Sequence, residues 1–296
     1  MIQTKYNNFY EFIGTGNTFN IKFGKSTRAP LTYHEEICWN AKYIEANKSG
    51  KIHILYSGGI DSEYVLRIFL SLGIEFVPVI INLKPNLNRY DFLAALSFCD
   101  VYNLKPIIID IDFEQYVTSG KFLERAKSSQ CIVYQLTATM EATLKLDGTV
   151  LLGELEPHFY KDLNNGMWYF DERERVLLLW DRWFKTNNIC GTPSILNYTP
   201  ETLLAFMNDK LIVDLINNRI SGKKGSNSSK LELYNRVFKD IPARKKLTGY
   251  ETIEKMPLFQ HPDIQQIKSD PFDNNLDGNG YFKIKYDDLK SHLESY

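Results

Sequence analysis

The sequence predicts an α/β protein: a parallel sheet with helices on both faces, followed by a mainly helical C-terminal region. Three observations lead there. Between residues 51 and 153, short runs rich in Ile, Val and Leu alternate with amphipathic stretches of helical length. That alternation marks parallel strands joined by crossover helices, because a strand buried on both faces reads as a continuous apolar run. Within it, at residues 52–62, one apolar run leads directly into a glycine pair and then a helix. Beyond Gly153 the strand pattern fades and helical, aromatic segments take over.

The elements follow in order. Residues 9–13 and 19–23 flank Gly14-Thr15-Gly16-Asn17-Thr18 and read as a β-hairpin. Residues 33–46 have helical composition and stop at Asn47-Lys48-Ser49-Gly50. Strands are expected at 52–56, 76–82, 106–111 and 149–152, with helices at 60–72, at 89–103 and in two stretches within 113–147. Further helices are expected at 172–185, 200–219 and 230–239, the last two separated by a Gly- and Ser-rich stretch, 221–229, with the composition of a mobile loop. A strand at 281–286 and a short helix close the chain. Trp168, Tyr169, Trp180 and Trp183 have a helical-looking spacing that says core first and substrate pocket second. The chain therefore divides into an N-terminal hairpin-and-helix extension (1–50), an α/β domain (51–160) and a mainly helical substrate or lid region (161–296).

Composition narrows the function. The 296 residues are 44% hydrophobic and 24% charged, ordinary globular usage that excludes a disordered or fibrous chain. With 35 basic and 36 acidic residues the net charge is −1, so no global field draws the protein to nucleic acid or an anionic membrane. Cys38, Cys99, Cys131 and Cys190 are widely separated, which suggests reduced thiols and neither a zinc knuckle nor a disulfide framework. No run approaches the ~18 apolar residues of a membrane span, and the expectation is a soluble, cytoplasmic protein with no membrane partner.

The chemistry concentrates at Tyr56-Ser57-Gly58-Gly59-Ile60-Asp61-Ser62. Glycines let the backbone turn sharply and approach an anion, and the free amides at the next helix start, with its dipole, favour phosphate. Ser57 and Ser62 add hydroxyl donors. Asp61 is informative because a carboxylate beside a phosphate cradle calls for a divalent cation between the two. In open α/β sheets this position, at the carboxyl end of a strand, opens on the ligand crevice.

Ser57-Gly58-Gly59-Ile60-Asp61-Ser62 resembles the S-G-G-x-D-S loop of the PP-loop ATP pyrophosphatases, which have an adenine nucleotide α-hydrolase-like fold. The resemblance implies cleavage of ATP between its α and β phosphates, giving an adenylated substrate and pyrophosphate, with Mg2+ as metal. It makes Ser57, Gly58, Gly59, Asp61 and Ser62 the holders of phosphate and metal, and the backbone of Leu55, Tyr56, Ile81 and Asn82 the frame of adenosine. Two further segments resemble the synthetase domain of asparagine synthetases. In Thr149-Val150-Leu151-Leu152-Gly153-Glu154-Leu155-Glu156, Gly153 and Glu154 align with the strand end that closes the nucleotide pocket. This makes Glu154 a metal-ligand candidate, while the family's second aspartate is absent, with Pro157 in its place or Glu156 one residue earlier. Lys230-Leu231-Glu232-Leu233-Tyr234-Asn235-Arg236, with Ile241 to Lys246 after it, is similar to a basic segment of that domain, and makes Arg244 and Lys246 candidates to stabilise departing pyrophosphate.

The resulting expectation is an asparagine-synthetase-like, ATP-dependent adenylating ligase. It would act on a small-molecule acceptor with an amine, ammonia or sulfur donor, the donor supplied by solution or by a partner protein. Position 2 is Ile rather than a catalytic cysteine, and too few residues precede the loop for a glutaminase domain. A tRNA- or nucleobase-modifying enzyme, with 219–246 as its basic contact, and a non-catalytic ATP-binding module are the alternatives; nucleic acid is disfavoured by the near-neutral charge, and a homo-oligomer is left open. Phe23-Gly24-Lys25-Ser26 lacks the glycine a Walker A loop needs, and the stretch from Asp273 to Ile284 lacks the last ligand of a calcium loop.

Overall fold

The computed structural model describes residues 10–13, 20–129, 133–153, 156–172, 176–217, 229–243, 257, 262 and 282–294. The expected hairpin is present, with β1 (Tyr10–Ile13) and β2 (Asn20–Phe23) antiparallel and Tyr10 opposite Phe23. Helix α1 (Tyr33–Ala46) starts at a capping box: the Thr32 hydroxyl accepts from the Glu35 N–H while the Glu35 carboxylate accepts from the Thr32 N–H. Its Asn40 amide donates to the Ile195 carbonyl and the Thr202 hydroxyl, which ties the N-terminal segment to the C-terminal half.

The main sheet has five strands, all parallel: β3 (Ile52–Leu55), β4 (Val77–Lys84), β5 (Ile107–Asp112), β6 (Thr149–Leu152) and β9 (Cys190–Thr192). Their order is β5-β4-β3-β6-β9. Side chains alternate across a strand, and here they feed two separate cores. Ile52, Ile54, Ile80 and Leu151 enter one core, while Leu55, Val79, Val150 and Leu152 enter the other. Helices α1, α2 (Ile60–Ser71) and α3 (Arg89–Val101) line the first core. Helices α4 (Phe113–Thr118), α5 (Lys121–Ser129), α6 (Tyr134–Thr143) and α7 (Val176–Thr186) line the second. The expected parallel sheet with helices on both faces is thus observed; three helices rather than two fill 113–147.

The C-terminal half contains strands beside its helices. β7 (Phe159–Lys161) and β8 (Trp168–Glu172) form an antiparallel sheet with β10 (Phe282–Lys285), in the order β10-β8-β7. Trp168 and Tyr169 therefore lie on a strand, although both are buried as the core reading requires, and Trp180 and Trp183 on α7 belong to the second core. The single helix expected over 200–219 is two, α8 (Pro200–Asn208) and α9 (Lys210–Ile216), because the Asp209 carboxylate takes the Leu211 N–H and caps a new start. α10 (Lys230–Asn235) is shorter than expected. α11 (Tyr286–Leu293) packs on α8, its Tyr286 hydroxyl donating to the Met207 carbonyl at 2.6 Å. The expected loop at 221–228 and Cys131 lie outside the described residues, among which Cys38, Cys99 and Cys190 are free thiols. Among the described residues no helix is long and apolar enough to cross a membrane.

Candidate active site

The glycine-pair loop leaves the central strand at its carboxyl end. The Tyr56 N–H still donates to the Val79 carbonyl, which holds the chain in the sheet up to the last residue before the turn. Gly58 then takes a φ of +81°, and a Cβ there would lie 2.3 Å from the Asp91 carbonyl oxygen. Only glycine accepts both the left-handed backbone and the close approach to α3. Gly59 is the N-cap of α2 and offers no side chain of its own; the Ser57 hydroxyl accepts from the Gly59 N–H at 3.2 Å and lies 3.1 Å from the Ser62 hydroxyl. Ser62 in turn donates to the Gly59 carbonyl. The loop is thereby braced from within, and the first N–H groups of α2, which have no intrahelical partner, point into it. At the end of β6, Gly153 presses on the same helix start, where a Cβ would lie 2.6 Å from the Ser62 Cα. The turn is lined by backbone and two hydroxyls, with glycine at the two points where a Cβ would strike neighbouring backbone, an arrangement with room for an anion.

Asp61, in the first turn of α2, is met by side chains from far along the chain. Lys230 Nζ lies 2.6 Å from Asp61 Oδ2 and 3.1 Å from Glu156 Oε1, and the Tyr234 hydroxyl donates to Asp61 Oδ1 at 2.9 Å. Both Lys230 and Tyr234 come from α10. Burial works against the Lys230 charge, but Asp61 and Glu156 outweigh it and raise its pKa. Burial first, and the Asp61 charge second, push the Glu156 carboxyl up against the opposing pull of Lys230. Tyr234 is held well above the ordinary phenol range by burial and then by Asp61, so it remains a donor. Its ring stacks on Tyr64 of α2, centroids 4.1 Å apart, and the Tyr64 hydroxyl lies 3.1 Å from His34 Nδ1.

A second set of contacts holds the turn after α10. Buried Arg67 pairs with Glu63 at 2.8 Å and with Asp240 at 2.7 Å, while its guanidinium lies over the rings of Phe98 and Tyr102. Glu63 also accepts from the Tyr56 hydroxyl at 3.4 Å.

The structure brings together Ser57, Gly58, Gly59, Asp61, Ser62 and Gly153. Leu55 and Tyr56 lie at the end of the central strand, and the Tyr56 ring is buried edge-on to Phe98. Ile81 and Asn82 lie on β4 beyond the register of β3; the Ile81 carbonyl accepts from Asn88 and the Asn82 amide donates to Asp110. Glu154, Arg244 and Lys246 lie outside the described residues. His53 is buried on β3, in keeping with a core role, and His158 stacks on Tyr160.

Sequence reasoning did not single out Lys230, Tyr234 and Glu156 as one cluster. The sequence points to a divalent ion beside Asp61, and the structure places the Lys230 ammonium there instead. Both Asp61 oxygens have partners in the chain, Glu156 shares one of them, and among the described residues no three His, Cys, Asp or Glu side chains gather to hold an ion. As arranged, this carboxylate pair does not fit a metal.

No protein-family model matches the chain, and no curated protein matches it in sequence. Among solved structures, it is similar to an NH3-dependent NAD synthetase from Campylobacter jejuni at 14% identity, covering 84% of this chain and 94% of that one, with a TM-score of 0.36. It is also similar to an NMN synthetase from Francisella tularensis at 13% identity, covering 73% of this chain and 97% of that one, with a TM-score of 0.33. Likenesses this low assign neither family nor substrate.

Proposed function

We propose that the chain is an ATP-dependent adenylating enzyme of the PP-loop pyrophosphatase type. The observation that carries this reading is the position of the matching loop: Ser57 to Ser62 turns from the central parallel strand into α2, with glycine where Asp91 and Ser62 leave no room for a side chain. Ser57, Gly58, Gly59, Ser62 and the α2 amides would hold the β and γ phosphates. An oxygen of the acceptor attacks the α phosphorus, the α–β bond breaks, and pyrophosphate leaves with the electron pair. An amine, ammonia or sulfur donor then displaces AMP from the acceptor. The resemblance also implies Mg2+, but Lys230 and Tyr234 occupy the Asp61 oxygens that would hold it.

The finer reading is asparagine-synthetase-like ligation, with Arg244 and Lys246 as candidates to meet the pyrophosphate. It is supported by Lys230, the first residue of the third resembling segment, lying against Asp61 of the first. The same contact favours a second reading, a module that binds ATP without turnover.

The test is incubation with ATP and Mg2+ against a panel of amino acids, small carboxylates and tRNA, with AMP and pyrophosphate resolved by mass from ADP and phosphate. AMP with pyrophosphate, stimulated by one panel member and lost in Asp61→Asn, is the expected result. ADP with phosphate would overturn the mechanism, and ATP binding with no turnover would favour the module.

A further inference from the structure

We infer that Lys230 is the resident cation of the Asp61–Glu156 pair, standing where a divalent ion would otherwise bridge the two carboxylates. The inference concerns the loop of the proposed function and rests on that reading only for the identity of the neighbouring anion. A bridging ion would sit about 2.0–2.6 Å from the oxygens of both groups. Lys230 Nζ already lies 2.6 Å from one and 3.1 Å from the other, so ammonium and ion exclude each other. The Lys230 side chain is only 12% exposed. An ammonium withdrawn that far from water is tolerated when it is paired, and this one has two carboxylates.

Nor is it a surface lysine free to swing away. The Tyr234–Tyr64 stack, the Tyr234–Asp61 hydrogen bond and the Arg67–Asp240 pair all fasten α10 and the turn after it to α2. With both Asp61 oxygens satisfied by the chain, the positive charge beside the cradle is built in and does not have to be recruited.

The experiment uses the full chain, stripped of metal and titrated with Mn2+ alone in the absence of nucleotide, free Mn2+ being read by electron paramagnetic resonance. Wild type and Asp61→Asn are expected to bind Mn2+ equally, since no Asp61-dependent site is open. Lys230→Met, shown to be folded by circular dichroism, is expected to gain one Mn2+ site at least about tenfold tighter than any in wild type, because two carboxylates are released to it. Lys230→Met/Asp61→Asn is expected to lose that site. A wild-type site abolished by Asp61→Asn would overturn the inference, as would a folded Lys230→Met that binds no better than wild type. If Lys230→Met does not fold, the comparison of wild type with Asp61→Asn decides alone. ATP turnover is not read, so failure here leaves the proposed function standing, and failure of the adenylation assay leaves this result standing.

Discussion

Gly58 and Asp91 are in backbone contact: a Cβ on Gly58 would lie 2.3 Å from the Asp91 carbonyl oxygen, and Gly58 already has a φ of +81°. Gly73 shares the positive φ, at +66°, but has nothing within 4 Å of its would-be Cβ. The pair separates strain from steric exclusion. Gly73→Ala is expected to cost about 1 kcal/mol of stability, the left-handed penalty alone, and to leave ATP binding unchanged. Gly58→Ala adds displacement of the loop from α3. It is expected to cost about 2 kcal/mol or more and to weaken ATP binding at least about tenfold. Urea unfolding and calorimetric ATP titration of both variants check this; a Gly58→Ala protein that binds ATP normally would sink the cradle assignment.

Gly153 tests the other wall. Its φ is not in the left-handed region, so Gly153→Ala brings only a Cβ against the Ser62 Cα, 2.6 Å away. Because both partners are backbone-anchored, the end of β6 and the start of α2 must separate. Expected is a loss of ATP affinity that is large relative to the loss of stability, about 1–3 kcal/mol by the usual cost of overpacking. Equal stability and unchanged affinity would show that the contact does not shape the site.

Arg67 is the fastener behind the site. Arg67→Met leaves the buried Glu63 carboxylate without its cation and is expected to cost about 3–5 kcal/mol in urea unfolding. Arg67→Lys is expected to restore only part of this, since an ammonium cannot both pair with Glu63 and lie flat over Phe98 and Tyr102. Asp240 is 72% exposed, so Asp240→Asn is expected to cost no more than about 1 kcal/mol. If Asp240→Asn proves as damaging as Arg67→Met, the energetic weight lies in the tie to the turn after α10 and not in Glu63.

These contacts also show what was legible beforehand. Four of the five parallel strands among the described residues could be read because burial on both faces forces continuous apolar runs, as in Ile52 to Leu55 and Thr149 to Leu152. β9 was not expected, because its three residues, Cys190 to Thr192, carry no such run. The loop could be read because its glycines sit between such a strand and a helix. β7 and β8 could not: Phe159, Trp168 and Phe170 fill a core from strands of three and five residues, too short to show a period, and β10, which pairs with β8, lies far along the chain. The Lys230–Asp61 pair spans 169 residues. From the sequence, Asp61 beside the glycine pair calls for a divalent ion, and nothing local to residues 56–62 shows that a lysine so far along the chain takes that place. The resemblance offered Arg244 and Lys246 for a different role, meeting the departing pyrophosphate, and both lie outside the described residues.

Acidification should loosen the molecule through two histidines. His34 is pushed below its ordinary pKa of 6.5, chiefly by burial, with Glu35 opposing; its ring lies against the Tyr64 hydroxyl, Cys38 and the edge of Phe238. His53, buried on β3 with no partner for Nδ1, is lowered by burial as well, Asp147 opposing and Lys51 assisting. A depressed pKa means that the unfolded chain binds the proton more readily, so the stability these groups contribute is complete above 6.5 and is lost as pH falls from there through the folded values. Glu156 and Asp181, raised by burial, work in the opposite sense, losing stability as pH rises from the ordinary carboxylate range. Wild-type unfolding free energy is therefore expected to drop between about pH 7.5 and about pH 5.5, and the drop to shrink in His34→Gln/His53→Gln. Urea midpoints at the two pH values measure it in both proteins. An undiminished drop in the double variant would assign the acid sensitivity to other groups.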